Sequence, residues 1–191
     1  MFGLGLAGGF IAALIGVMSI CSEFRHGTIR PTFIFTPKRE RVLLAKLASS
    51  TALGAAFGLL TEGLAFGTGM IVLWARGADT VLTTHEFLLV ALGSIGVTAL
   101  MAALGVGLGA VVRNQVLAVI GLTVWFMVVE NIVVAVAPGV GRFFPLAAGD
   151  ALGGVNSTDL LTAPQGAAVL TGYVIAFFLV GLAITKRRDV N

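Results

Sequence analysis

A single long polar stretch interrupts a chain that is otherwise almost continuously apolar: Ser22 to Lys46, SEFRHGTIRPTFIFTPKRERVLLAK. It carries Arg25, Arg30, Lys38, Arg39, Arg41 and Lys46 against only Glu23 and Glu40. Apolar runs of membrane-spanning length flank it on both sides. Lys and Arg near span ends resist translocation, so this loop, residues 22–41, is expected to face the cytoplasm. Hydrophobic residues make up 58% of the chain and charged residues 11%, and the mean hydropathy is +1.04, whereas soluble domains are about 25% charged. A span takes about 20 apolar residues to cross roughly 30 Å of hydrocarbon. The 191 residues therefore hold one all-α transmembrane domain over 1–191, with no room for a second, soluble one. The clustered basic residues suit membrane topology and lipid headgroups rather than nucleic acid. Cys21 stands alone, which excludes an intrachain disulfide.

Five spans are expected, at about 2–20, 42–74, 87–112, 116–137 and 167–185. The first has no positive n-region and no cleavage site after it, which argues against a secretory signal. Thr36-Pro37 fits an N-cap followed by Pro at the first helical position, so the second helix is expected to start in the loop. Glycines spaced four apart, Gly54 with Gly58, Gly63 with Gly67 and Gly105 with Gly109, predict close helix packing. Thr83 and Glu86 form a capping-box pattern ahead of the third span. Residues 113–115 form a tight turn. The segment 143–154 is apolar but too short to cross, so it is expected to be interfacial or re-entrant. Six Lys and Arg in the first loop, Arg113 and three in the C-terminal tail lie on one side of this scheme, against Arg76 and Arg142 on the other. That asymmetry puts the N-terminus outside and the C-terminus in the cytoplasm.

The loop also carries a resemblance. Glu23-Phe24-Arg25-His26-Gly27-Thr28, Arg30, then Thr36-Pro37-Lys38-Arg39, Arg41 and Lys46 leading into a helix resemble the first cytoplasmic loop of bacterial type 2 permeases of ATP-binding-cassette (ABC) exporters. The likeness continues more weakly through the later spans and 143–154. It implies a permease of the bacterial inner membrane that works as a homo- or heterodimer with separate ATPase subunits. Glu23, Phe24, Arg25, Gly27, Thr28, Arg30, Phe33 and Phe35 would then form the element that docks on the ATPase. Such permeases usually carry an elbow helix and one more span before this loop, so the five spans would correspond to the second to sixth of six. On the residues alone, the loop reads equally well as a basic topogenic segment whose aromatics rest on the lipid interface.

Glu62 and Glu130 are the only acidic residues deep in the expected spans. At 1.5 Å per residue they lie roughly 24 and 21 Å from the cytoplasmic side. An ionisable group in hydrocarbon costs about 3 kcal/mol or more unless it meets water or a partner, so both are expected to point into the bundle. They would line a path or gate for a cationic or amphipathic substrate, or be held by structural hydrogen bonds, Glu130 through Asn131. There is no G-x-x-x-x-G-K-[ST] phosphate loop, so ATP and Mg²⁺ would be bound by the partner subunit and no cofactor by this chain. No catalytic set and no metal site stand out, His26 and His85 falling on opposite sides of the membrane. A membrane-embedded enzyme and a self-sufficient secondary transporter or channel are the alternatives; the latter predicts internal repeats, which the sequence lacks.

Overall fold

The computed structural model describes residues 3–26, 39–77, 83–155 and 160–187. The expected Thr36-Pro37 helix start lies outside them. The chain forms α1 (Gly3–His26), α2 (Arg39–Ala75), α3 (Thr84–Val112), α4 (Gln115–Val136), α5 (Pro138–Gly141), α6 (Pro145–Leu152) and α7 (Ala163–Arg187). Among the described residues there is no strand. Helices α1, α2, α3, α4 and α7 are long and apolar enough to cross a membrane, as a multi-pass membrane protein requires. In hydrocarbon every backbone N–H and C=O must be satisfied within the protein, and a helix does this with its own residues.

Local chemistry sets several helix ends. Thr83 and Glu86 form the expected capping box: the Glu86 amide donates to Thr83 Oγ1 at 3.3 Å, and the Thr83 amide donates to Glu86 Oε2 at 2.9 Å. Arg113 closes α3 in the left-handed conformation at φ 56°, and its amide donates to the Gly109 carbonyl. Asn114 then caps α4, its Oδ1 accepting from the Val116 and Leu117 amides at 3.0 and 3.1 Å. Reversing the chain within two residues makes α3 and α4 antiparallel neighbours. At 37 residues, α2 is about 55 Å long, well beyond the hydrocarbon thickness.

Helix α3 is central and touches α1, α2, α4, α6 and α7. Its residues 101–107, Met-Ala-Ala-Leu-Gly-Val-Gly, are buried on every face, because small side chains admit neighbours from all sides. Against α1 the approach is reciprocal: a methyl on Gly16 would fall on the Ala102 carbonyl oxygen, and one on Gly105 on the Ala13 carbonyl oxygen. Gly54 and Gly58 press α2 onto α3 at Thr98 in the same way. The expected Gly63–Gly67 pair is different. Neither position has an atom within 4 Å of an added methyl, so this pair packs on nothing within the described chain. Leu59, Leu60, Leu64, Ile71 and Val72 are likewise exposed on α2, an apolar surface suited to lipid.

Between α4 and α7 the chain dips back into the bundle. Helix α5 returns alongside α4, with Gly141 against Val134. The Phe144 ring then meets that of Trp125 at 5.6 Å, roughly 16 Å below the end of α4 at 1.5 Å per residue. From there α6 climbs back between α3 and α7, with Gly149 beside Val97 and Met101, Gly93 against the Leu152 carbonyl, and Gly166 against the Ala148 carbonyl. The 143–154 segment is thus packed inside the bundle against α3, α4 and α7.

Candidate functional site

Helix α1 ends in a polar cluster that gathers four other helix ends. Glu23 Oε1 pairs with Lys46 Nζ of α2 at 2.5 Å. The same ammonium donates to the Ser19 carbonyl at 3.4 Å, and the Ser19 and Ser50 hydroxyls bond at 2.9 Å. The Arg113 guanidinium lies 5.2 Å from the Phe24 ring centroid and donates to Thr185 Oγ1 of α7 at 3.0 Å. Arg25 Nη1 donates to Gln115 Oε1 at the start of α4 at 3.3 Å. Three consecutive residues of α1 therefore reach α2, the α3–α4 corner and α4. The Glu23–Lys46 pair is about one quarter exposed, so it contributes about 1 kcal/mol or less. Its larger effect is to hold α1 and α2 in register on either side of the loop. Gly27, Thr28, Arg30, Phe33 and Phe35 lie outside the described residues.

Glu130 points into the bundle, as expected, and is 2% exposed. A π-helical turn at Trp125–Val129 precedes it, closed by the Glu130 amide donating to the Trp125 carbonyl. The extra residue rotates everything beyond it by about 100°. Leu122, Phe126 and Glu130 consequently share the buried face, while Val124 and Val128 face outward. The turn frees a carbonyl, and Asn131 satisfies it: its Nδ2 donates to the Phe126 carbonyl at 2.8 Å and the Met127 carbonyl at 3.4 Å. Asn131 is therefore not the partner of Glu130. Glu130 Oε1 instead accepts from the Leu146 amide at 2.6 Å and the Ala147 amide at 3.0 Å, at the sunken start of α6.

That contact completes the hydrogen bonding of a helix end buried away from water. The N-cap residue Phe144 has no side-chain acceptor, and Pro145 has no amide to satisfy. The Phe144 amide donates to the Gly141 carbonyl and the Ala148 amide to the Phe144 carbonyl. Only Leu146 and Ala147 remain, and Glu130 takes both. A carboxylate also suits the positive end of the helix dipole. At the far end, Gly154 takes φ +82° and the Val155 amide donates to the Asp150 carbonyl at 3.0 Å, a Schellman closure that needs a glycine. The first-turn amides of α6 and its Gly149, Asp150 and Ala151 carbonyls are thus satisfied inside the protein.

Glu62 sits elsewhere, on the far side of α3. Gly54, Gly58 and Glu62 recur every four residues, so the face of α2 that packs on Thr98 carries Glu62 one turn further along. There it lines a cavity of about 60 Å³ with Thr61, Ser94, Thr98 and Asp150. This is room for about two water molecules at their liquid volume of about 30 Å³ each. Thr98 lies midway along α3, while Gly8 near the start of α1 and Gly153 and Val155 at the end of α6 also line the chamber, so it extends from mid-bundle toward that end. Asp150 escaped the sequence reading, although it is the only charged residue in 143–154. Such a residue in an apolar segment too short to cross was the available signal. Glu62 and Glu130 thus do not share one site; α6 connects them, with Glu130 at its start and Asp150 one turn on. Among the described residues, no three His, Cys, Asp or Glu side chains are grouped to hold a metal ion.

No curated protein and no solved structure matches the chain. A family model described as "Protein of unknown function (DUF2705)" matches residues 2–191. With nearly its whole length matched, the chain belongs to the DUF2705 family.

Proposed function

We propose that the chain is a transmembrane permease subunit of an ABC exporter of the type 2 kind, in a bacterial inner membrane with the 22–41 loop in the cytoplasm. The observation that carries this reading is the anchoring of Glu23, Phe24 and Arg25 to three different parts of the bundle. In the resembling permeases these positions begin the element that docks on the ATPase. Here a displacement of that element would pass at once to α2, to the α3–α4 corner and to α4. A loop that served only to set topology would need no such ties. ATP and Mg²⁺ would sit on the ATPase, and a second permease subunit would complete the path.

The test is purification of the tagged chain from native membranes, with mass spectrometry and an ATPase assay on the eluate. Recovery of a phosphate-loop ATPase is the expected result, lost or sharply reduced when Glu23 and Arg25 are both replaced by Ala. A chain that purifies alone without ATPase activity would overturn the reading in favour of a self-sufficient transporter, channel or membrane enzyme.

On the same reading, the chamber lined by Glu62 and Asp150 belongs to the substrate path or its gate, and Glu130 acts by holding α6 in place. The double variant Glu62→Gln, Asp150→Asn is expected to keep the ATPase bound. Its coupled ATP hydrolysis in liposomes should fall about tenfold, the effect of roughly 1.4 kcal/mol on a barrier. An unchanged rate would remove the chamber from the transport cycle.

A further inference from the structure

On the side of α3 facing α4 and α7 lies a second cavity, of about 210 Å³. Leu104, Leu122, Phe126 and Pro145 form its floor, and all four are buried. Gly121 and Trp125 of α4 and Tyr173 and Phe177 of α7 form its rim, and they are exposed or partly so. The opening has a local cause. Gly121 has no atom within 4 Å of where a side chain would begin, so α4 offers a gap instead of a wall. On the opposite wall, Gly107 brings α3 close to Phe177, with an added methyl only 2.9 Å from the Phe177 Cβ.

The lining is carbon apart from the Tyr173 hydroxyl and the Trp125 indole, so a charged or strongly polar occupant would lose its hydrogen bonds there. An apolar cavity of about 150 Å³ already takes up a molecule the size of benzene. What lies outside the mouth follows from the fold. Both rim helices are spans, and the residues beside the rim, Ile120 and Val124 on α4 and Ile175, Leu179 and Val180 on α7, are exposed and apolar. In a membrane, bilayer hydrocarbon covers these faces, and the mouth opens between them. An empty pocket would forfeit dispersion contacts along its lining, which an entering methylene chain restores.

We propose that this pocket is a lateral binding site for an acyl chain of a bilayer lipid, entering between Gly121 and Trp125 on one helix and Tyr173 and Phe177 on the other. The site is independent of any coupling to an ATPase. Its floor includes Pro145, the first residue of α6, and Phe126, within the π-helical turn that orients Glu130. The bound chain thus packs directly on the two elements that hold α6.

The experiment reconstitutes the full chain in liposomes of phosphatidylcholine doped with a phosphatidylcholine carrying a mid-chain diazirine, irradiates them and maps labelled residues by mass spectrometry. Label on the floor residues Leu122 and Phe126 is expected in the native chain, with label also on outward Ile120 and Val124. In Gly121→Leu and Gly121→Trp, the floor label should disappear while Ile120 and Val124 stay labelled. Label confined to Ile120 and Val124 in the native chain would overturn the proposal, as would floor label that persists in both variants. A Gly121→Cys chain that forms a disulfide-linked dimer in these membranes would assign the mouth to a second copy instead; Cys21 is buried and would not compete.

Discussion

Replacing Glu130 by Leu is expected to destabilise the protein by about 2–4 kcal/mol, because two buried amides would lose their only acceptor at about 1–3 kcal/mol each. Leu fills much of the same space without an acceptor, so the loss reports the hydrogen bonds to Leu146 and Ala147. Glu130→Gln is the informative partner variant. Its amide oxygen accepts from the same two donors without a buried charge, so it should stay close to the parent in stability. Thermal unfolding in detergent measures both. For a chain of this length the Leu variant should melt about 5–10 °C lower. If the Leu variant melts with the parent, Glu130 does not hold α6. If Gln preserves melting but abolishes coupled ATP hydrolysis, the charge itself serves the transport cycle as well as the helix end.

A comparable loss is expected at the α1–α3 crossing. Gly16→Val or Gly105→Leu sets a side chain against the carbonyl oxygen of the opposing helix, and backbone cannot move aside as a flexible side chain can. Overpacking a close-packed site costs about 1–3 kcal/mol; here both partners are main chain, so the upper end or beyond is expected. Even Gly16→Ala should lower the melting temperature. The control lies on the exposed side of α2, where Gly63→Ala and Gly67→Ala meet nothing. They should be neutral or stabilise by up to about 1 kcal/mol through helix propensity. Equal losses at all four positions would mean that the crossing is looser than the described packing. A Gly63→Ala chain that melts normally but no longer assembles with a partner would mark the outer face of α2 as a subunit contact.

These variants separate glycines that look alike in the sequence. Gly105 and Gly63 both begin a small-xxx-small pair, yet one meets a neighbouring backbone and the other faces outward. Spacing along a helix says which residues share a face. Whether another helix covers that face depends on elements distant in the chain. The same distinction governs the acidic residues. The cost of a carboxylate in hydrocarbon was enough to predict that Glu130 turns inward, and it does. Its partners could not be predicted, because they are main-chain amides of Leu146 and Ala147, which no side-chain pattern marks. The π-helical turn that aims Glu130 was equally hidden. It inserts one residue of offset, and the apolar run Trp-Phe-Met-Val-Val reads the same in α-helical or π-helical register.

Length, charge and hydropathy were enough to read the class of structure from the sequence: an all-α fold with five stretches able to cross a membrane, a basic loop between the first two, and a short apolar segment unable to cross. These follow from hydrocarbon thickness, backbone satisfaction and the cost of moving charge, which act on each segment separately. The tertiary structure was needed to see that α6 enters the bundle, that Glu130 caps it, that Glu62 and Asp150 line one cavity, and that Gly121 opens a pocket between α4 and α7. Each of these depends on the rotation and depth of one helix against another. Apolar residues all around a span make many such registers nearly equivalent in hydrophobicity, so only the fit of side chains and the pairing of buried amides selects among them.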